Sequence, residues 1–525
     1  MDDFYKMGAV SGGGTLRLQM PILDKTVTSD VTGDFSLPDY QPEIKRLLRV
    51  SATVQPPSHY VGGGFAEFSG TVDYCILYAG NDGRVYCFPT SADYAFRLPL
   101  EAGTAFDLSG GLLCYADCET EHTIGRVAGP RRISVKSRIG ARIKAYGNYL
   151  QEYKCQGRLP AGCGQEKLLL ESEIGVCGYG VGTPLTLSEE ISPESLPEQE
   201  EWRIISGDAQ VVIHEATCET GRVAARGEAV VKLMLQRESE NSQPVCMYRK
   251  LPFGGDISVE GLMAGGEAAV TGTCSELGLS LEQGRILCDV RIILHAKTWH
   301  KQMLSYIADW YATGCESECL TTDMTHPVGI RCINGSVTQS ESRTLEELGL
   351  TKDMRVIDIA GVVLQDRTLC ERGRVIVTGK CRYSLILLMP DGDMVVKEID
   401  MPMRYVADAP IEADTPVDCE AVLRVLSVKA RGDGQRLSVD AEVGVSLALT
   451  GKRTIRPVCK ASIGAPKEKS PGRMTLCFPS RSDTLWSVGK RYARPIEELA
   501  EINGLQDEKR ADDRASLSEV HVMVV

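Results

Sequence analysis

Along most of this chain apolar residues return at every second position, and polar turns interrupt the alternation. Val72-Asp73-Tyr74-Cys75-Ile76-Leu77 is one such run, and Cys288 and Cys381 lie in similar surroundings. A period of two is the pattern of a strand with one face buried. Three stretches of this kind align with one another: residues 64–78, 221–235 and 373–387. In each, a second glycine follows the first by the same step (Gly64 and Gly70, Gly221 and Gly227, Gly373 and Gly379). Each then leads into a polar turn, Asn81-Asp82-Gly83, Glu238-Ser239-Glu240-Asn241 or Pro390-Asp391-Gly392. Asp-Gly between apolar strands signals a hairpin, clear in the first and third stretches and looser in the second. The glycine pairs predict a bulge or a close backbone approach.

Matching second halves follow at 132–136, 285–290 and 436–441. The period is therefore about 150 residues, the size of a domain rather than of a solenoid repeat. The expected fold is mainly β, with three repeated antiparallel domains at 1–150, 201–300 and 351–462. Residues 151–200 and 301–350 read as connectors, with an acidic, proline-containing run at 187–198. A short helix is predicted at 344–349, capped by Thr344 and stopped by Gly349. Another is predicted in the lead-in 37–50, opened by Pro42, with Ile44, Leu47 and Leu48 facing the sheet.

The pattern changes after the linker 463–473. Residues 474–478 read as a strand. Leu485, Val488 and Tyr492 then fall at helical spacing beside Trp486, with Asp483 as the candidate N-cap. A second helix opens at Pro495, carries Ile496, Leu499, Ala500 and Ile502 inward, and stops at Asn503-Gly504. The run 506–514 is charged, and 520–525 is the candidate closing strand of a small βααβ unit.

Composition narrows the function. A chain of 525 residues with a net charge of −13 and no long basic run does not suit nucleic acid or an anionic membrane as its main partner. The basic pairs Lys45-Arg46, Arg131-Arg132 and Lys490-Arg491 read as solvated. No stretch nears the roughly 18 apolar residues of a membrane span, and residues 1–6 lack the pattern of a secretory signal. Nineteen cysteines, many inside apolar strands, read as reduced thiols in a cytoplasmic setting.

Candidate chemistry is sparse. The seven histidines form no zincin motif, and His295 and His300 flank Trp299 in a strand-like run. Cys315 and Cys319, with His326 and Cys332 downstream, are the best metal candidates, but a second close ligand pair is missing. Gly62-Gly63-Gly64 precedes a strand and not a helix, so no phosphate cradle is expected. No catalytic residue, metal or cofactor is predicted. A site assembled from distant residues is the enzyme alternative.

The order of strand, D-T-L-W helix, E-E-L helix and N-G stop at 474–505 resembles the LysM module, which binds glycan or protein. Together with the lead-in at 37–50 and the thrice-written strand pattern, the chain resembles the SPOCS-domain spore-coat proteins of the SipL type. The resemblance implies a non-enzymatic scaffold in the mother-cell cytoplasm at the forespore surface. It implies a contact between the LysM-like end and the coat morphogenetic ATPase, stage IV sporulation protein A. The residues it points to are those of the module's loops, Ser482, Asp483, Thr484, Leu485, Asn503 and Gly504. The alternative is a peptidoglycan-binding protein that uses the same module.

Overall fold

The structure is a computed structural model and describes residues 13–100, 106–107, 112–191, 202–238, 242–282, 284–371, 373–411, 417–467, 474–505, 517 and 520–525. The middle polar turn at 239–241, the acidic run beyond Ile191, the linker core 468–473 and the charged run 506–514 lie outside the described residues.

Alternation becomes strands almost throughout. The chain opens with β1 (Gly13–Ser36), β2 (Ile44–Val54), β3 (Ser58–Gly62), β4 (Phe65–Gly80), β5 (Val85–Pro99), β6 (Phe106–Asp107), β7 (Leu113–Gly129) and β8 (Arg132–Gln156). Next come β9 (Gln165–Val181), β10 (Leu185–Ile191), β11 (Trp202–Glu219), β12 (Arg222–Arg237), β13 (Val245–Ser258), β14 (Glu267–Glu282) and β15 (Arg285–Ala312). After β16 (Cys315–Thr321) follow β17 (Met324–Thr344), β18 (Arg355–Glu371), β19 (Arg374–Leu388), β20 (Met394–Asp408), β21 (Asp418–Gly432), β22 (Arg436–Ile455) and β23 (Val458–Pro466).

One strand order is traced three times. The sheets β2-β4-β5, β11-β12-β13 and β18-β19-β20 each face a second sheet centred on a long strand. Those second sheets are β1-β8-β7, β10-β15-β14 and β17-β22-β21. The stretches 64–78, 221–235 and 373–387 fall on β4, β12 and β19, and the second halves fall on β8, β15 and β22. In the middle unit Val223, Ala225, Val231, Leu233 and Leu235 of β12 pack against Ile286, Cys288, Val290 and Ile292 of β15. Burying each such aliphatic side chain is worth about 1.5–3 kcal/mol, which is what period two accomplishes in a two-layer unit.

Two of the second glycines, Gly227 and Gly379, sit where the partner strand bulges. Register slips beside Ile213, opposite Gly227, and beside Gln365, opposite Gly379. A methyl group there would run into the carbonyl oxygens of Val212 and Leu364.

Three expectations change. The lead-in forms strand β2, not a helix. Its pairing with β4 slips between Ile44 and Arg46 and again between Leu47 and Arg49. Each slip reverses the parity of the side chains, so a bulged strand imitates helical spacing. The connectors are strands as well: β9 runs on into β10 along the two halves of β15, and β17 lies along β22. At 344–349 there is a single turn, with Thr344 and Glu347 capping each other's backbone N–H groups at 3.1 and 3.3 Å.

The units close head to tail, since β5 packs on β11, β13 on β18 and β20 on β2. Leu77, Met234 and Ile386, each at the same distance beyond its second glycine, meet in one buried cluster. Two ionic nodes lie between the units. Asp358, whose side chain is only 2% exposed, pairs with Arg49 and with Lys232 at 2.5 Å. Burial alone would raise its pKa, but the two cations hold it below the ordinary range. Glu420 pairs with Lys144 and with Lys297 at 3.2 Å, and despite burial its pKa falls to about 2. Each node draws on all three units.

The pair Lys45-Arg46 also bridges units. Both side chains are exposed, as expected, and from the surface Lys45 reaches Asp393 at 2.8 Å and Arg46 the carbonyl of Met394 at 2.5 Å. Beyond the sandwiches the long strands continue into a stem, where Leu18, Ile174, Leu304, Met324 and Ile455 pack together. There β23 pairs with the end of β8 and with β16.

Candidate functional site

The C-terminal module consists of β24 (Leu476–Cys477), α1 (Leu485–Tyr492), α2 (Ile496–Ile502) and β25 (Met523–Val524), and the two short strands pair antiparallel. The cap of α1 is Thr484, one residue beyond the candidate Asp483. Thr484 Oγ1 accepts from the Ser487 amide at 3.1 Å, and Ser487 Oγ accepts from the Thr484 amide at 2.9 Å. Asp483 instead folds the turn before the helix, accepting from the Ser480 amide at 2.8 Å and from Arg491 at 2.7 Å. Those two donors hold its carboxyl below the ordinary range.

One face of the module is spent on the stem. Trp486 packs edge-on against Tyr311 of β15, with ring centroids 5.0 Å apart, and its indole N–H donates to Asp309 at 2.8 Å. Lys490 donates to the other oxygen of Asp309 at 2.5 Å. Burial alone would raise Asp309, yet the bonds from Lys490, Trp486 and Cys319 outweigh it and hold the carboxyl below the ordinary range. Tyr311 donates to the Arg494 carbonyl at 2.8 Å, and the Gly314 amide donates to the Ala493 carbonyl at 2.7 Å. Gly489 lets the helix approach, because a methyl group there would lie 2.5 Å from the Tyr311 hydroxyl. Lys490-Arg491, read from the sequence as solvated, is therefore paired at both positions.

The opposite face is open. On the ribbon β24–β25, Cys477 and Met523 point inward and are buried, while Met474, Leu476, Phe478 and Val522 point out. Met474 is 75% exposed and Phe478 74%, far beyond what a lone surface apolar residue requires. A cleft continues this face past Met474 and Ile502 to Val525, and the Arg494–Glu498 ion pair (3.5 Å) stands on its rim.

The loop residues named from the sequence divide by role. Ser482 and Gly504 are exposed, Thr484 caps, and Asp483 and Leu485 are buried. Asn503 is a clamp: its Nδ2 donates to the Val524 carbonyl at 2.8 Å, and its Oδ1 accepts from the Val524 amide at 2.7 Å. Sequence reasoning missed the outward residues of the ribbon, although their alternation (474, 476, 478) was the available signal.

The metal candidates go separate ways. Cys315 is buried in the stem, Cys319 donates to Asp309 at 3.2 Å, and His326 faces Ser172 and the Glu173 carbonyl. Among the described residues no three of His, Cys, Asp or Glu gather in metal-ligating geometry, and no helix is long and apolar enough to cross a membrane. In class, this is a mainly β chain of separate antiparallel sheets carrying a small βααβ module. No family model, curated protein or solved structure matches it.

Proposed function

We propose that this chain is a non-enzymatic assembly protein of the spore coat, acting in the mother-cell cytoplasm at the forespore surface. In this reading the open ribbon face of its LysM-like module captures the coat morphogenetic ATPase, stage IV sporulation protein A. The resemblance to the SipL type supplies the partner. The observation that carries the surface is that Met474, Leu476, Phe478 and Val522 stay exposed while the other face of the module is consumed by β15. An apolar patch beside a rigid mount is what a docking protein needs, since little ordering cost remains to be met on binding. The buried ionisable groups support a scaffold, because Asp358 and Glu420 spend their charge on joining the three units.

Peptidoglycan is the second reading. It draws on Phe478, an exposed aromatic ring whose flat face can lie on a sugar. The test is a double substitution, Met474→Ser with Phe478→Ser, in the full chain. Capture of the ATPase is expected to weaken about tenfold or more, with the unfolding midpoint of the chain unchanged. Undiminished capture rejects the proposal. Co-pelleting with purified peptidoglycan that the same variant abolishes moves the function to the second reading.

A further inference from the structure

We propose that Cys75 and Cys87 are a modification site: a thiol pair that a small peroxide converts to an intramolecular disulfide. Their sulfurs lie 2.9 Å apart on the adjacent strands β4 and β5. Both residues are half-buried, and Cys87 lines an opening between the first two units, together with Tyr40, Gln41, Tyr86, Arg203 and Ile205. Arg203 lies over the Tyr86 ring at 4.6 Å and donates to the Val85 carbonyl at 2.9 Å, which fixes the wall of that opening.

The other two units act as internal controls. At the place of Cys75 in β4, β12 has Lys232 and β19 has Ser384. At the place of Cys87, which faces Leu77 across the pairing, Cys246 faces Met234 and Val396 faces Ile386. Only the first unit puts two thiols at these positions, so the shared fold does not require them there.

The contact between the sulfurs allows one order of events. Either sulfur can donate across the contact; where Cys87 is the donor, the bond, assisted by Arg49, favours the thiolate at Cys75 against burial and the nearby Asp208. The Cys75 thiolate attacks one oxygen of hydrogen peroxide. The O–O bond breaks, and the departing hydroxide takes up the proton that Cys75 released, giving water and a sulfenic acid. The Cys87 sulfur then attacks the Cys75 sulfur and the S–O bond breaks. The Cys87 proton leaves with the hydroxyl as a second water. Two thiols are oxidised by two electrons, and one peroxide is reduced to two waters. The product ties β4 to β5 beside the cluster where Leu77, Met234 and Ile386 meet.

The test titrates the reduced full chain with hydrogen peroxide, alkylates the remaining thiols and maps the peptides by mass spectrometry. A Cys75–Cys87 linked species, two hydrogens lighter than the reduced pair, is expected before any change at the neighbouring pairs Cys163–Cys315 and Cys370–Cys419. In Cys87→Ser, Cys75 is expected to stop at a sulfenic acid that a carbon nucleophile traps. If Cys75 and Cys87 still alkylate fully at peroxide levels that oxidise other cysteines, the proposal is overturned. The wild-type mapping decides this without relying on the variant.

Discussion

The two faces of the C-terminal module invite comparison because they are built from the same few dozen residues and treat apolar surface in opposite ways. The α1 face buries Trp486 against Tyr311 and sets its indole N–H and Lys490 on one carboxylate, Asp309. The ribbon face leaves Met474 and Phe478 in water. A small domain with so little core does not expose large side chains for its own stability. The contrast teaches that the module is mounted by one face and offered by the other. Beyond the linker, the module is fixed to β15 by direct bonds.

The largest break in that contrast is Trp486→Ala. It removes a ring buried in the module core and the N–H bond to Asp309 together, so a loss of about 3–5 kcal/mol in the module's stability is expected. Amide hydrogen exchange over α1 and α2 measures it, with the three sandwiches keeping their protection.

Asp309→Ala comes next. It leaves the Trp486 N–H and the Lys490 ammonium without their shared acceptor, at a cost of about 2–3 kcal/mol to docking. The same carboxylate sets a pH dependence. Its folded pKa is depressed, so its contribution is complete above the ordinary aspartate value and fades as pH falls below about 4 toward the lower folded value. Exchange protection of α1 should follow this acid limb in the wild type and lose it in the variant.

Gly489→Ala is the mildest of the three. Alanine favours the helix but meets the Tyr311 hydroxyl, so a net loss of about 1 kcal/mol in docking is expected. Adding Tyr311→Phe removes the clashing oxygen along with its bond to the Arg494 carbonyl, so a double-mutant cycle should show the two losses to be less than additive.

Much of this was legible in the chain, for local reasons. The helices at 485–492 and 496–502 could be read because capping residues, a proline at the N-cap of the second and an Asn-Gly stop act within a few residues. The cap itself moved by one residue, from Asp483 to Thr484, since either side chain can reach a free amide and only the turn decides which. The strands at 64–78, 221–235 and 373–387 showed as period two. The lead-in failed for a physical reason: two bulges in β2 placed Ile44, Leu47 and Leu48 at spacings that a helix would also give. The pair Lys45-Arg46 stays exposed, as read, but its acceptors, Asp393 and Met394, lie 348 positions away, so its bonds were not legible.

Alternation, glycine placement and capping residues act between near neighbours, and they mark most of the strands, the hairpin turns and the two short helices in the sequence itself. The closing of three units on one another, the burial of Asp358 among cations from both neighbouring units and the seating of Lys490 on Asp309 needed the folded chain. Each joins residues more than a hundred positions apart. A charge or an indole carries no mark of its partner in its own neighbourhood. Only when the backbone brings Asp309 beside α1 does a lysine that reads as solvated become one of the residues that hold the module in place.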